Sequence, residues 1–128
     1  MFEKKIRVQQ CDLDELNHVN NVKYVYWVQD IALSHWREKA PKEMQEKWAW
    51  VMTKHCIEYR KASFIGNNIS VKTYLESSNG AMATRIVEFY NESDSKASVT
   101  STTSWCLLDA NTFKPKRIPE NVSDIFKE

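Results

Sequence analysis

One helical segment that is apolar on most of its surface limits what this chain of 128 residues can fold into. From Asn20 to Lys39, apolar residues recur at spacings of three and four, and Trp27 and Val28 extend the apolar surface around the cylinder. At 1.5 Å per residue such a helix is about 28 Å long, enough to cross a small domain. It needs burial on most sides, so the rest of the chain has to cover it.

The covering structure is predicted by the extended runs on either side of this helix. Before it, Ile6 and Val8 alternate with polar residues as in a strand. After a polar segment at 41–47, long extended runs are separated by turn signals at 66–68, 77–80, 91–95 and 109–112. We therefore predict a single α+β domain over residues 1–128, in which an antiparallel sheet of about five strands wraps around one long central helix.

Composition narrows the possible partners. The formal net charge of +1 gives no field that would favour nucleic acid or an anionic membrane. No apolar run approaches the roughly 20 residues that a membrane helix needs, and the N-terminus lacks the apolar core of a signal peptide. These features predict a cytoplasmic protein with neither nucleic acid nor membrane as partner.

Cofactor sites are equally restricted. With only two glycines, the chain has no Gly-rich loop of the kind that cradles phosphates or dinucleotides. The three cysteines and three histidines lack metal-ligand spacing, so we expect no metal and no cofactor. The cysteines are expected to be reduced, buried thiols, because each lies in a segment typical of a strand.

The chemistry concentrates at the helix entrance. Residues 12–21 hold carboxylates, one imidazole and three amides, directly before the apolar helix. The backbone N–H groups of a first helical turn are unpaired and carry partial positive charge. A carboxylate beside such donors suits hydrolysis, since it can activate water while the donors stabilise an oxyanion.

Four short motifs together resemble the hotdog-fold acyl thioesterases, the group that includes 4-hydroxybenzoyl-CoA thioesterase and the plant acyl-ACP thioesterases. They are Asp12-Leu13-Asp14, then His18-Val19-Asn20-Asn21, then Tyr24 with Trp27, and finally Ile57-Glu58-Tyr59-Arg60. The resemblance covers nearly the whole chain. It implies a hotdog fold and the hydrolysis of an acyl-CoA or acyl-ACP thioester.

The resemblance also implies roles at the helix entrance. Asp14 matches the catalytic carboxylate, acting as general base or nucleophile, and leaves Asp12 as a structural or solvated neighbour. His18 matches a histidine that orients water, contacts Asp14 or donates to the oxyanion; the alternative is a helix cap. Asn21 lies where a related subgroup has a catalytic histidine, and its amide can polarise or position but cannot act as a base.

Four further residues are candidates for substrate binding, each with a structural alternative. Asn17 is also suited to a turn, because Asn tolerates the left-handed backbone conformation. Asn20 is also a preferred helix cap. Tyr24 is also suited to the core, and Glu58 to a solvent-facing pair with Arg60.

The resemblance implies assembly as well: a homodimer or homotetramer acting on acyl-CoA or on acyl carrier protein thioesters. Two other functions stay open from the sequence. One is a hotdog protein that binds acyl groups without hydrolysis or dehydrates a hydroxyacyl chain. The other is an unrelated α+β binding or assembly module, in which the polar cluster only caps the helix.

Overall fold

The long helix is the centre of the molecule. In the computed structural model, which describes residues 1–127, helix α1 spans Asn21–Lys39. It begins where the Asn20 side chain accepts a hydrogen bond from the Val22 N–H at 2.9 Å. It ends at Ala40, directly before Pro41, which disfavours a helical conformation in the preceding residue. The helix predicted over 20–39 is confirmed.

Five strands form one antiparallel sheet beside this helix. They are β1 (Phe2–Arg7), β2 (Trp48–Tyr59), β3 (Asn68–Asn79), β4 (Met82–Asn91) and β5 (Val99–Asp109). Their spatial order is β1-β3-β4-β5-β2, so β2 forms one edge of the sheet and has only β5 as neighbour in the described chain. The predicted α+β class, with about five strands and one long helix, is confirmed.

Two apolar clusters hold helix and sheet together. The larger joins the first half of α1 to the middle of the sheet, with fully buried side chains such as Val28, Ile69 and Phe89. The smaller lies at the end of α1 and consists of Trp36, Ala40, Val122 and Phe126. The last two belong to the C-terminal segment, where the short helix α3 spans Glu120–Asp124. The chain's end thus closes the core at the far end of the central helix.

The structure adds elements that the sequence pattern does not predict. Besides α3, a short helix α2 spans Lys42–Lys47 within the polar segment, and a 3₁₀ helix spans Gln10–Asp12. These pieces are too short to show a helical repeat of apolar residues. No helix within residues 1–127 is long and apolar enough to cross a membrane.

The prediction for the cysteines was wrong about their burial and, for Cys11, about the strand. All three are free, but Cys11 and Cys56 are exposed and Cys106 is only half-buried. Cys11 lies on the 3₁₀ helix rather than on a strand. Cys56 does lie on β2, but its more buried neighbours His55 and Ile57 take the opposite face.

Candidate active site

A tight turn places Asp14 at the entrance to α1. Leu13 and Val19 pair as an isolated antiparallel bridge, and the Asp14 N–H donates to the His18 carbonyl at 2.8 Å. Asn17 adopts a φ of 61°, the left-handed conformation that Asn accepts more readily than most residues. The sequence between the bridge residues therefore folds back on itself, so that the turn presents its polar side chains next to the helix.

The Asp14 carboxylate is held through one of its two oxygens. Oδ1 accepts hydrogen bonds from the N–H groups of Leu16 at 2.9 Å and His18 at 3.3 Å. Oδ2 makes no hydrogen bond within residues 1–127, and the side chain is only half-buried. One oxygen thus fixes the orientation of the carboxylate, and the other is available to water or substrate.

Asp12 has a different environment. It is only 6% exposed and accepts a hydrogen bond from the Gln9 N–H at 2.8 Å. Its other oxygen lies 3.3 Å from the Lys23 Nζ on α1, and its carbonyl accepts from the Asn20 N–H at 2.9 Å. One oxygen thus holds the start of the 3₁₀ helix and the other ties that helix to α1, so both are used in structural contacts.

The start of α1 retains an unpaired donor. Asn20 caps the helix, as its structural alternative predicts, and uses its side chain on Val22. The backbone N–H of Asn21, the first helical residue, has no acceptor within residues 1–127, and the Asn21 side chain is exposed. From β2, the Tyr59 hydroxyl donates to the Asn21 carbonyl at 3.2 Å; burial raises the pKa of Tyr59, which keeps this donor protonated.

His18 is half-buried beside the loop that follows β2. Its ring meets the ring of Phe64 edge-on, with centroids 5.2 Å apart. The Val19 N–H donates to the Ser63 carbonyl at 2.9 Å, which ties the turn to this loop. Neither nitrogen of the His18 ring is hydrogen-bonded to another residue of 1–127, so both remain available to a bound molecule.

Of two further predicted substrate-binding residues, Tyr24 lies in the core one helical turn beyond the helix start, against Tyr59, and Glu58 lies on the other face of β2. Tyr24 is 2% exposed and packs edge-on against Trp27 and Phe89 in the larger core cluster, where burial raises the pKa of its hydroxyl. Glu58 lies on the face of β2 opposite Tyr59 and pairs with Arg60 at 3.3 Å. The structure does not bring Glu58 to the helix entrance.

A second polar group, absent from the sequence predictions, lies at the other end of α1. A cavity of about 360 Å³ is bordered by aromatic side chains, among them Trp36, Trp50 and Phe126, and by Arg85 of β4. Arg85 is 4% exposed, and its Nη1 is 3.0 Å from both His35 Nδ1 and Thr73 Oγ1. A guanidinium therefore lies inside an otherwise mostly apolar cavity.

The sequence contains a signal for Arg85. On β4 the side chains of Ala83, Arg85, Val87 and Phe89 are all buried and alternate at the strand period of two. A lone charged residue within that alternation indicates an inward-facing charge. The sequence alone does not show which face of the strand points inward; the structure does.

Among residues 1–127, no three His, Cys, Asp or Glu side chains are grouped to hold a metal ion.

Comparisons with known proteins identify the family and the fold. The family model described as the thioesterase-like superfamily matches residues 8–126. YbaW, a probable thioesterase from Escherichia coli, superposes with a TM-score of 0.88 at 17% identity, covering 99% of this chain and 100% of its own. A hypothetical protein from Staphylococcus aureus, solved in complex with CoA, gives 0.84 at 14% identity, covering 97% of this chain and 80% of its own.

A third similar structure has a named substrate. The 1,4-dihydroxy-2-naphthoyl-CoA thioesterase of Synechocystis gives a TM-score of 0.82 at 11% identity, covering 98% of this chain and 94% of its own. A search of curated protein sequences finds no significant match. At such low sequence identities, the structural similarity shows the fold alone. The predicted hotdog architecture is confirmed.

Proposed function

The chain belongs to the thioesterase-like superfamily, and from that membership we propose that it is an acyl thioesterase, releasing a free acid and a thiol from an acyl-CoA or acyl-ACP thioester. The observation that carries the proposal is the arrangement around Asp14. One carboxylate oxygen is fixed by backbone N–H groups, the other is open, and an unpaired N–H begins the adjoining helix. This is the pair of functions that thioester hydrolysis needs.

In the proposed reaction, the open Oδ2 of Asp14 takes a proton from a water molecule as that water attacks the thioester carbonyl. The negative charge that develops on the carbonyl oxygen is stabilised by the N–H of Asn21 and by the positive end of α1. The carbon–sulfur bond then breaks, and the leaving thiolate takes the proton from Asp14, which regenerates the carboxylate. Direct attack by the carboxylate would use the same open oxygen.

The other polar residues of the turn have supporting roles in this proposal. His18 directs one of its free ring nitrogens towards the water or the oxyanion. Asn21 offers an exposed amide that can hold the thioester. Asn17 and Asn20 act on the substrate indirectly, because one forms the turn and the other caps the helix.

The proposed binding surface for the acyl group is an exposed stripe of α1. Val22, Tyr26 and Leu33 are 73%, 60% and 44% exposed and lie at helical spacing with Gln29. Large apolar side chains on one helix face usually mark a binding surface. This stripe runs from the helix entrance to the cavity that contains Arg85.

We propose a homodimer, or a homotetramer built from it, in which a second copy covers this stripe. The edge strand β2 has 12 residues, one free side, and an exposed Val51. A long unpaired edge next to an apolar helix face favours pairing with another chain. Light scattering across a concentration series measures the state, and a strictly monomeric protein would contradict this part of the proposal.

The activity is tested by thiol release from acyl-CoA and acyl carrier protein thioesters of short, medium, long and aromatic acyl groups. We expect the wild type to release thiol and Asp14→Asn to lose about 10²- to 10⁴-fold in kcat, the range for removing a general base. Asparagine retains the side-chain oxygen that accepts from Leu16 and His18, so the turn should survive.

The matched control is Asp12→Asn, which alters a neighbouring carboxylate that the proposal assigns to structure. Its kcat should stay within a few-fold of wild type in the folded fraction. Equal turnover by wild type and Asp14→Asn would overturn the role of Asp14. A new double bond formed from an added 3-hydroxyacyl-CoA, without thiol release, would favour a dehydratase instead.

A further inference from the structure

The cavity at the end of α1 contains a positive charge that no described carboxylate balances. None of the ion pairs within residues 1–127 includes Arg85. Its partners within residues 1–127 are Thr73 Oγ1, His35 Nδ1 and the ring of Phe126, whose centroid lies 5.3 Å from the guanidinium carbon. A buried charge without a counter-ion is expensive, so its presence in a cavity wall calls for an explanation.

Part of the guanidinium is also free to donate. Both hydrogen bonds of the Arg85 guanidinium within residues 1–127 come from Nη1, which leaves Nε and Nη2 without an acceptor there. The buried polar atoms without a partner are Tyr24 Oη, Trp50 Nε1 and Ser63 Oγ, so these two Arg85 nitrogens keep some accessible surface. Because Arg85 borders the cavity, its unused N–H groups are available to a ligand there. Nε and Nη2 together form the side of the fork that binds a carboxylate with two parallel hydrogen bonds.

The charge persists at neutral pH. Burial lowers the pKa of Arg85 to about 10, which still leaves the guanidinium protonated at pH 7. His35 Nδ1 and Thr73 Oγ1 hold Nη1 in place, so the fork is oriented before any ligand arrives. A preoriented donor pair loses little side-chain entropy on binding, which favours affinity.

We propose that this cavity binds a carboxylate at the distal end of the acyl group, so that the protein selects thioesters of ω-carboxyacyl chains over chains that end in a methyl group. The inference rests on the proposed function, because it names the acyl class of that same enzyme. The aromatic walls formed by Trp36, Trp50 and Trp105 enclose the last apolar part of the chain, and Arg85 receives its charged end.

The position of the cavity suits the distal end of a substrate. Gln29 and Leu33 border the cavity and lie eight and twelve residues beyond Asn21, so about 12 and 18 Å along the helix axis. The exposed stripe of α1 connects the two places. A thioester carbonyl at the helix entrance and a carboxylate at Arg85 would therefore be joined by an extended apolar chain.

The test measures binding without requiring turnover. Thioethers of CoA cannot be hydrolysed, so S-alkyl-CoA ligands of equal chain length that end in carboxylate, carboxamide or methyl are compared by calorimetric titration of the wild type. We expect the carboxylate ligand to bind at least about ten-fold more tightly than the other two at the best chain length, from charge-assisted hydrogen bonds. Equal affinities for all three ligands would overturn the proposal.

Variants then assign the preference to Arg85. Arg85→Met should remove the difference between carboxylate and methyl ligands, whereas Arg85→Lys should keep part of it. An undiminished preference in Arg85→Met would overturn the role of Arg85. If Arg85→Met does not fold, the three ligands on the wild type still decide the proposal.

The outcome is separable from that of the proposed function. Carboxylate-dependent binding without thiol release from any thioester would contradict the thioesterase and leave the cavity site in place. Thiol release with no carboxylate preference in binding would support the thioesterase and contradict the cavity site.

Discussion

The two ends of α1 are held by different forces. At its start, the turn from Leu13 to Val19 is fixed mainly by hydrogen bonds of the backbone, and the side chains of residues 14–18 remain half-buried or exposed. At its end, aromatic rings from three parts of the chain stack around a buried guanidinium, as Trp36, Trp50 and Phe126 show. The comparison indicates that the entrance turn presents polar side chains for chemistry, whereas the far end is held by aromatic packing of the smaller core cluster.

The sharpest way to break this comparison is to remove packing at the far end. Phe126→Ala deletes a ring that is 8% exposed and contacts both Trp36 and Trp50, and we expect a loss of about 3 kcal/mol in the free energy of unfolding. Urea unfolding measures it. The control is Phe113→Ala, since Phe113 is 69% exposed and should change stability by less than about 0.5 kcal/mol.

If the two ends are as separate as proposed, Phe126→Ala should leave the kcat of the folded fraction for short acyl substrates close to wild type. A large fall in kcat with folding intact would show that the cluster acts on the chemistry and not only on stability.

A smaller effect is expected where side chains do stabilise the entrance. Asp12→Asn weakens the buried contact with Lys23 and the acceptor for the Gln9 N–H, and we expect a loss of about 2 kcal/mol, less than for a fully buried pair because Lys23 is partly exposed. Chemical denaturation with a spectroscopic readout checks it.

Asp30→Asn is the matched control for Asp12→Asn. The Lys4–Asp30 pair, at 3.1 Å, has both side chains 40% exposed, and such surface pairs contribute less than about 1 kcal/mol. Equal losses in the two variants would show that the Asp12 contact is an ordinary surface pair.

The smallest effect concerns the turn itself. Asn17 has a φ of 61°, which glycine adopts without strain, so Asn17→Gly should leave stability and kcat near wild type. Asn17→Ala should lower the free energy of unfolding by about 1 kcal/mol through backbone strain alone. Thermal unfolding and thiol release measure both. A loss of kcat in Asn17→Gly at unchanged stability would instead show that the Asn17 amide contacts the substrate.

The same division explains what the sequence could predict. The helix and the polar turn are specified by neighbouring residues, so their pattern is visible in a run of amino acids: Asn20 caps, and the apolar repeat follows. The site around Arg85 joins residues far apart in the chain, among them His35, Thr73 and Phe126. Nothing in local spacing links these: the β3–β4 register brings Thr73 near Arg85, and the packing of α1 and of the C-terminal segment adds the other two.

Glu58 shows the same limit. The motif Ile57-Glu58-Tyr59-Arg60 predicts that Glu58 lies near the helix entrance. Strand β2 does reach α1 there, but the residue that contacts the helix is Tyr59. A shift of one residue along a strand reverses the face, so a motif can indicate the right strand and leave the contacting residue open.

Since α1 is a continuous helix of 19 residues, the separation between its two ends is set by residue count rather than by loop conformation. If the thioester carbonyl binds at the start of α1 and the terminal carboxylate at Arg85, the length of the helix between them determines which acyl chain length fits. Substrate length would then be retuned by changing side chains along the exposed stripe, with the turn at the entrance left intact.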